Sequence, residues 1–223
     1  MKQDTETIYH RQLHILNPED IDKSVGIIGV GGIGSPTALA LTKMGLPDLT
    51  IWDNDKVEAH NLPNQLYRVK DMETDKVNAM SNLLKDFQIG KQKVKAVNKK
   101  WGGEIKDIMI CAVDSMDTRI AIWKKIKNSN CELYIEARMG AELMKIYAIN
   151  PQDPLDIRFY EKMLYPSSEA VGLPCSARAV FYNVFVIAGL IGSEVKKFLK
   201  CENNTKEIIF DLASMGLACF KEL

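Results

Sequence analysis

The chain has 223 residues, 46% of them apolar, with 29 basic against 29 acidic side chains. That length can bury one substantial core, and the charge balance removes any global electrostatic case for a nucleic acid or an anionic membrane as partner. Five cysteines at 111, 131, 175, 201 and 219, odd in number and without a Cys-x-x-Cys pair, describe neither a disulfide framework nor a structural zinc.

Residues 1–16 are polar, without the apolar run of a secretory signal, and the longest apolar stretch, 180–191, is interrupted by Tyr182 and Asn183. The expectation is a soluble, cytoplasmic protein with no membrane contact. A short β-branched strand then runs into Gly29-x-Gly31-x-x-Gly34, followed by a helix over 35–44 and a second apolar strand, 49–52, that ends at Asp53. Gly29 permits a tight turn, Gly31 and Gly32 bring backbone close to a phosphate, and Gly34 lets the helix pack on the sheet. Helix N-terminal amides face the phosphates, and Asp53 is placed to accept hydrogen bonds from a ribose. The unit is built to hold a nucleotide.

Residues 76–87 carry apolar positions at helical spacing, 94–97 reads as a short strand, and 108–113 is a continuous apolar run that delivers Asp114 to a strand's carboxyl end. A helix over 119–127 and strands over 133–137 and 145–149 follow. Alternation of this kind predicts an α/β protein with a Rossmann-like, doubly wound, mostly parallel sheet, whose ligands lie outside the carboxyl ends of the strands. Asn-Pro-Gln-Asp-Pro and Tyr-Pro-Ser-Ser-Glu break the pattern between 150 and 174 and read as a crossover or lid. A long helix over 177–199, in which Gly189 and Gly192 permit close packing, and a closing strand over 206–213 complete the chain. The reading is one domain over 1–223, with a nucleotide-binding core at 20–149, a crossover at 150–176 and a C-terminal part at 177–223.

A nicotinamide enzyme and an ATP enzyme both fit the glycine turn. The residues after Trp52 discriminate between them: Asp53-Asn-Asp55-Lys-Val57, then Asn61-Leu62, then Asn64-Gln65, then Lys76. This order resembles the ThiF family of ubiquitin-activating-like (E1-like) adenylyltransferases. Tyr9-His-Arg11-Gln12, Ala112-Val-Asp114 with Arg119, Arg138-Met-Gly140 and Pro174-Cys175 also fall at family-like positions, so the resemblance covers roughly residues 5–200.

The resemblance implies joining of a carboxylate to AMP with release of pyrophosphate. Its substrate would be the C-terminal glycine of a small ubiquitin-like or sulfur-carrier-like protein or peptide. It implies ATP and Mg²⁺ as cofactors, with Gly29, Gly31, Gly32, Gly34, Asp53, Asp55, Asn61, Gln65 and Lys76 binding the nucleotide. Arg11 and Lys76 would neutralise charge on the triphosphate, Asp114 would hold Mg²⁺, and Arg119 would brace Asp114. A homodimer is implied, with Arg11 supplied across it. Asn64 departs from the family's usual arginine, and Arg68 is the candidate substitute for that charge. Cys175, after the crossover and before a helix, stands where the family often carries its reactive thiol, and a helix start with Arg178 nearby favours a thiolate. The competing readings are an NAD-dependent oxidoreductase, for which no proton donor and hydride site emerge, and an E1-like binding module weakened in catalysis.

Overall fold

The computed structural model describes residues 5–169 and 179–221. The strands are β1 (Ser24–Ile28), β2 (Asp48–Asp53), β3 (Lys93–Asn98), β4 (Ile108–Cys111), β5 (Leu133–Gly140), β6 (Leu143–Ile149), β7 (Glu207–Asp211) and β8 (Gly216–Phe220). They form an eight-stranded sheet in the order β3-β2-β1-β4-β5-β6-β7-β8. From β3 to β5 all neighbours are parallel, and β5 to β8 form an antiparallel meander. The helices are α1 (Thr5–Tyr9), α2 (Gly34–Met44), α3 (Lys76–Lys85), α4 (Met116–Ile126), α5 (Pro154–Glu161) and α6 (Phe181–Leu199).

The period of two along each strand sorts side chains onto two helical layers. Val25 and Ile27 of β1 share one core with Leu41 of α2, Met80 of α3 and Ile187 and Ile191 of α6. Ile28, with Trp52 and Tyr134, packs on the opposite face against Trp123 of α4 and Tyr160 of α5. Strand β4 feeds both layers, which is why its sequence is apolar without alternation. Crossovers on both faces put the carboxyl ends of β1, β2 and β4 along one edge, where the nucleotide signals fall.

Four elements differ from expectation. The stretch after Asn150 opens with a packed helix: Asp153 caps α5 by accepting from Leu155 N–H at 2.8 Å, and Pro154 occupies the first turn, where its missing N–H costs nothing. Asp and Pro signal a helix start as readily as a loop, so composition alone misleads here. Strand β6 runs antiparallel to β5 across the tight turn at Ala141 and Glu142, and β8 pairs with β7 as a further edge strand. Helix α6 begins at Phe181.

Candidate nucleotide-binding site

At the end of β1 the chain turns sharply. Gly29 has φ 88° and donates to Trp52 O at 2.8 Å, and a Cβ there would sit 2.9 Å from Ala112 O. Gly34 opens α2 so close beneath that turn that a Cβ would fall 1.9 Å from Gly29 O. Between them Gly31 O accepts from Ser35 N–H at 3.0 Å and from Ser35 Oγ at 2.7 Å. Ser35 Oγ in turn accepts from Leu66 N–H at 3.0 Å, which draws the 61–66 segment over the turn.

That segment brings Gln65 beside Gly31 and Asn64 beside Gly32. The amide oxygens of Asn64 and Gln65 are buried without a hydrogen-bond partner, a costly state that a ligand at the turn would relieve. A half-turn of either amide presents its NH₂ donors to phosphate oxygens instead. Asp53, at the tip of β2, accepts from Val30 N–H through Oδ2 and from Asp55 N–H through Oδ1, each at 2.9 Å. Both oxygens keep a lone pair for a ribose hydroxyl.

Lys76, the first residue of α3, is 8% exposed and reaches Asp55 Oδ2 at 3.1 Å. Asp55 thus holds the ammonium at the edge of the site. Tyr67 joins these parts: its hydroxyl donates to Val30 O at 2.6 Å, and burial, reinforced by Asp53, Asp71 and Asp55, pushes its pKa far up, so it stays a neutral donor. Sequence reasoning missed Tyr67, because a lone tyrosine in a turn-rich segment carries no periodic signal.

Two expected phosphate ligands also make local bonds. Asn61 is buried and its Oδ1 accepts from Glu58 N–H at 2.9 Å, closing a short 3-10 turn. Arg68 forks onto Asp71, with Nε 2.8 Å from Oδ2 and Nη2 3.0 Å from Oδ1, so it is occupied as a local cap and does not stand in for the arginine absent at Asn64.

Asp114 is exposed in the turn between β4 and the Ser115 cap of α4. Arg119 is buried below it and donates to Val113 O, to Ala137 O at 2.8 Å and to Glu136. The guanidinium therefore fixes the backbone that precedes Asp114. Among the described residues no three His, Cys, Asp or Glu side chains cluster for a metal. One carboxylate fits Mg²⁺ that takes its remaining ligands from phosphates and water.

Arg11 is exposed and lies elsewhere: its neighbour Gln12 donates to Met44 O at 3.0 Å, at the far end of α2 from the glycine turn. Cys175 lies outside the described residues. Burial pushes the Cys111 thiol up and Cys131 up to about 12, so neither is a thiolate near neutrality, whereas Cys201 and Cys219 are exposed.

The sequence matches the ThiF family over residues 17–218. The chain belongs to the ThiF family. Ubiquitin-like modifier-activating enzyme 5 of Caenorhabditis briggsae is 30% identical over 118 residues, which cover 45% of this ThiF chain and 27% of that protein. The enzyme of the same name from Mus musculus is 29% identical over 117 residues, 44% and 29% of the two chains. The chain thus spans between a quarter and a third of these curated relatives. Among solved structures, E. coli MccB with selenomethionine MccA superposes with a TM-score of 0.77 at 17% identity, covering 99% of this chain and 72% of that one. PaaA gives 0.75 at 17% identity, covering 100% and 76%. These likenesses establish the fold as the ThiF-type, Rossmann-like one.

Proposed function

We propose that this ThiF-family chain is an ATP-dependent adenylyltransferase that activates the C-terminal carboxylate of a small ubiquitin-like protein or peptide. One observation carries the reading: the glycine turn, Asp53, Asn64, Gln65, Lys76 and the Asp114 turn meet along the carboxyl edge of β1, β2 and β4. Family membership supports it, as do the names of the relatives and a likeness to E. coli MccB with ATP, TM-score 0.72 at 16% identity.

A carboxylate oxygen of the acceptor attacks the α-phosphorus of ATP, a new P–O bond forms, the α–β bridging P–O bond breaks, and pyrophosphate leaves. Amides of the glycine turn, at the positive end of α2, hold the phosphates in line. Lys76 balances charge that develops on the leaving pyrophosphate. Asp114 would hold Mg²⁺, which neutralises phosphate charge when bound. Asp53 orients the ribose. A homodimer would supply Arg11 from the second subunit, and Cys175 would take the acyl group from the adenylate with AMP leaving.

The test is ATP–pyrophosphate exchange with Mg²⁺ and a panel of peptides and small proteins ending in glycine. Exchange dependent on one acceptor is expected, with a loss of about 10²-fold or more in Asp114→Ala. A reducible conjugate on Cys175 in the same reaction reads out thioester transfer. NAD(H) binding without exchange by any acceptor would overturn the proposal.

A further inference from the structure

Beneath the Asp114 turn sits a carboxylate with no solvent contact. Glu136 of β5 is 0% exposed and is held by Arg119 Nη1, by Arg138 Nε at 2.7 Å and Nη2 at 2.6 Å from Oε2, and by the Tyr160 hydroxyl, which donates at 3.0 Å. Each arginine also reaches a loop. Arg119 takes Val113 O, one residue before Asp114. Arg138 Nη1 takes Met163 O at 3.0 Å, and its guanidinium lies 5.6 Å from the Tyr165 ring. Two residues on, Ser167 N–H donates to Asp117 Oδ1 and Ser167 Oγ accepts from Asp117 N–H, both at 3.1 Å.

Residues 163–169 are therefore fastened at two points, one on Arg138 and one on the first turn of α4, immediately after Asp114. A buried ion cluster is poor evidence for stability, because well-packed apolar residues of the same volume often serve as well. What a planar fork adds is direction: Arg138 donates to Glu136 through Nε and to Met163 O through Nη1, a pair of directions that a lysine ammonium does not reproduce. One carboxylate shared by two arginines also leaves neither free to move alone, since either departure strands charge in the interior.

We propose that Arg138 is a positioning residue that seats residues 163–169 against the Asp114 turn, and that Glu136 links this seat through Arg119 to the nucleotide edge. The inference deepens the proposed function and rests on a nucleotide binding at that edge. A nucleotide that orders the glycine and Asp114 turns then also restrains 163–169, so that segment is set when the acceptor arrives.

Hydrogen–deuterium exchange of the full chain tests this, with Mg·ATP as the probe. In the protein as it stands, saturating Mg·ATP is expected to slow exchange in both 29–35 and 163–169. Arg138→Lys, which keeps the charge and removes the fork, is expected to speed exchange of 163–169 without nucleotide by about tenfold. It is also expected to abolish the slowing there by Mg·ATP while leaving that at 29–35. Equal exchange of 163–169 in variant and parent, or protection at 29–35 that never extends to 163–169 in the parent, overturns the inference. Absence of any protection at 29–35 in the parent instead overturns the nucleotide reading, and the clamp is then decided by the rates without nucleotide. Should Arg138→Lys fail to fold, Tyr165→Ala, at an exposed position, removes the ring over the guanidinium; an unchanged rate at 163–169 there also overturns it.

Discussion

Gly34 shows how one missing Cβ fixes the geometry of the whole edge. Its carbonyl neighbour, Gly29 O, occupies the space a side chain would need, so α2 starts directly under the turn. Gly34→Ala has no flexible atom to displace, because the obstacle is backbone at 1.9 Å. The expected cost exceeds about 4 kcal/mol, the range reached only by severe core or backbone lesions, and denaturant melts measure it. Gly31 contrasts with it. The nearest atom to its missing Cβ is the flexible Gln65 amide at 3.9 Å, so its substitution acts on ligand approach rather than on the fold. Both glycines, Asp53, Lys76 and Asp114 stand out in the sequence as candidates because each stands at fixed spacing from an element boundary. At Asn61 and Arg68 the motif spacing is matched, and Glu58 N–H and Asp71 respectively also engage their polar atoms locally, a competition that no spacing rule reports.

At the scale of elements, β1 to β7 were each readable as strands, and β8 and the antiparallel pairing were not. Strands β1 and β4 announce themselves through unbroken apolar runs, whereas β8 is exposed along its whole length and has no pattern to find. Helix α5 is short and sits behind two prolines, yet it supplies Ile157 and Tyr160 to the core. Tyr160 packs edge-on against Trp123 at 4.7 Å and Tyr134 at 5.6 Å, and its hydroxyl ends on Glu136. The ring and the hydroxyl therefore have separable roles. Tyr160→Ala is expected to cost about 3–5 kcal/mol from the cavity and lost aromatic contact. Tyr160→Phe keeps the ring and leaves one oxygen of a buried carboxylate short of a donor, a cost of about 1–3 kcal/mol. Urea unfolding of the pair separates the two. Equal destabilisation would mean that the hydroxyl, not the packing, holds α5 in place. Buried polar partnerships such as Glu136 with Arg119 and Arg138 escape sequence reading for the same reason as β8: nothing periodic marks which charged residue turns inward.

For the molecule as a whole, the position of Arg11 bears on the proposed homodimer. Gln12 is tied to Met44 at the end of α2, and the 11 residues of that helix separate it from the glycine turn, about 16 Å at the usual helical rise. Arg11 therefore does not reach its own phosphate turn, and the role proposed for it on the triphosphate requires a second subunit. An apolar groove beside it, lined by Ile15, Ala40, Met44, Gly189 and Gly192, offers surface for such a neighbour. Subunit mixing decides the matter. Arg11→Ala and Lys76→Ala are each expected to lose pyrophosphate exchange. If every site combines its own Lys76 with Arg11 of the partner subunit, a heterodimer of the two variants contains one site with both cations and one with neither. Random pairing at equal amounts makes half the dimers mixed, so exchange returns to about a quarter of the parent level. If Arg11 serves its own chain, every site in the mixture still lacks one cation and nothing returns. Capture through an affinity tag carried by one variant alone shows whether the subunits exchanged, so a flat result with exchanged dimers rejects the shared site.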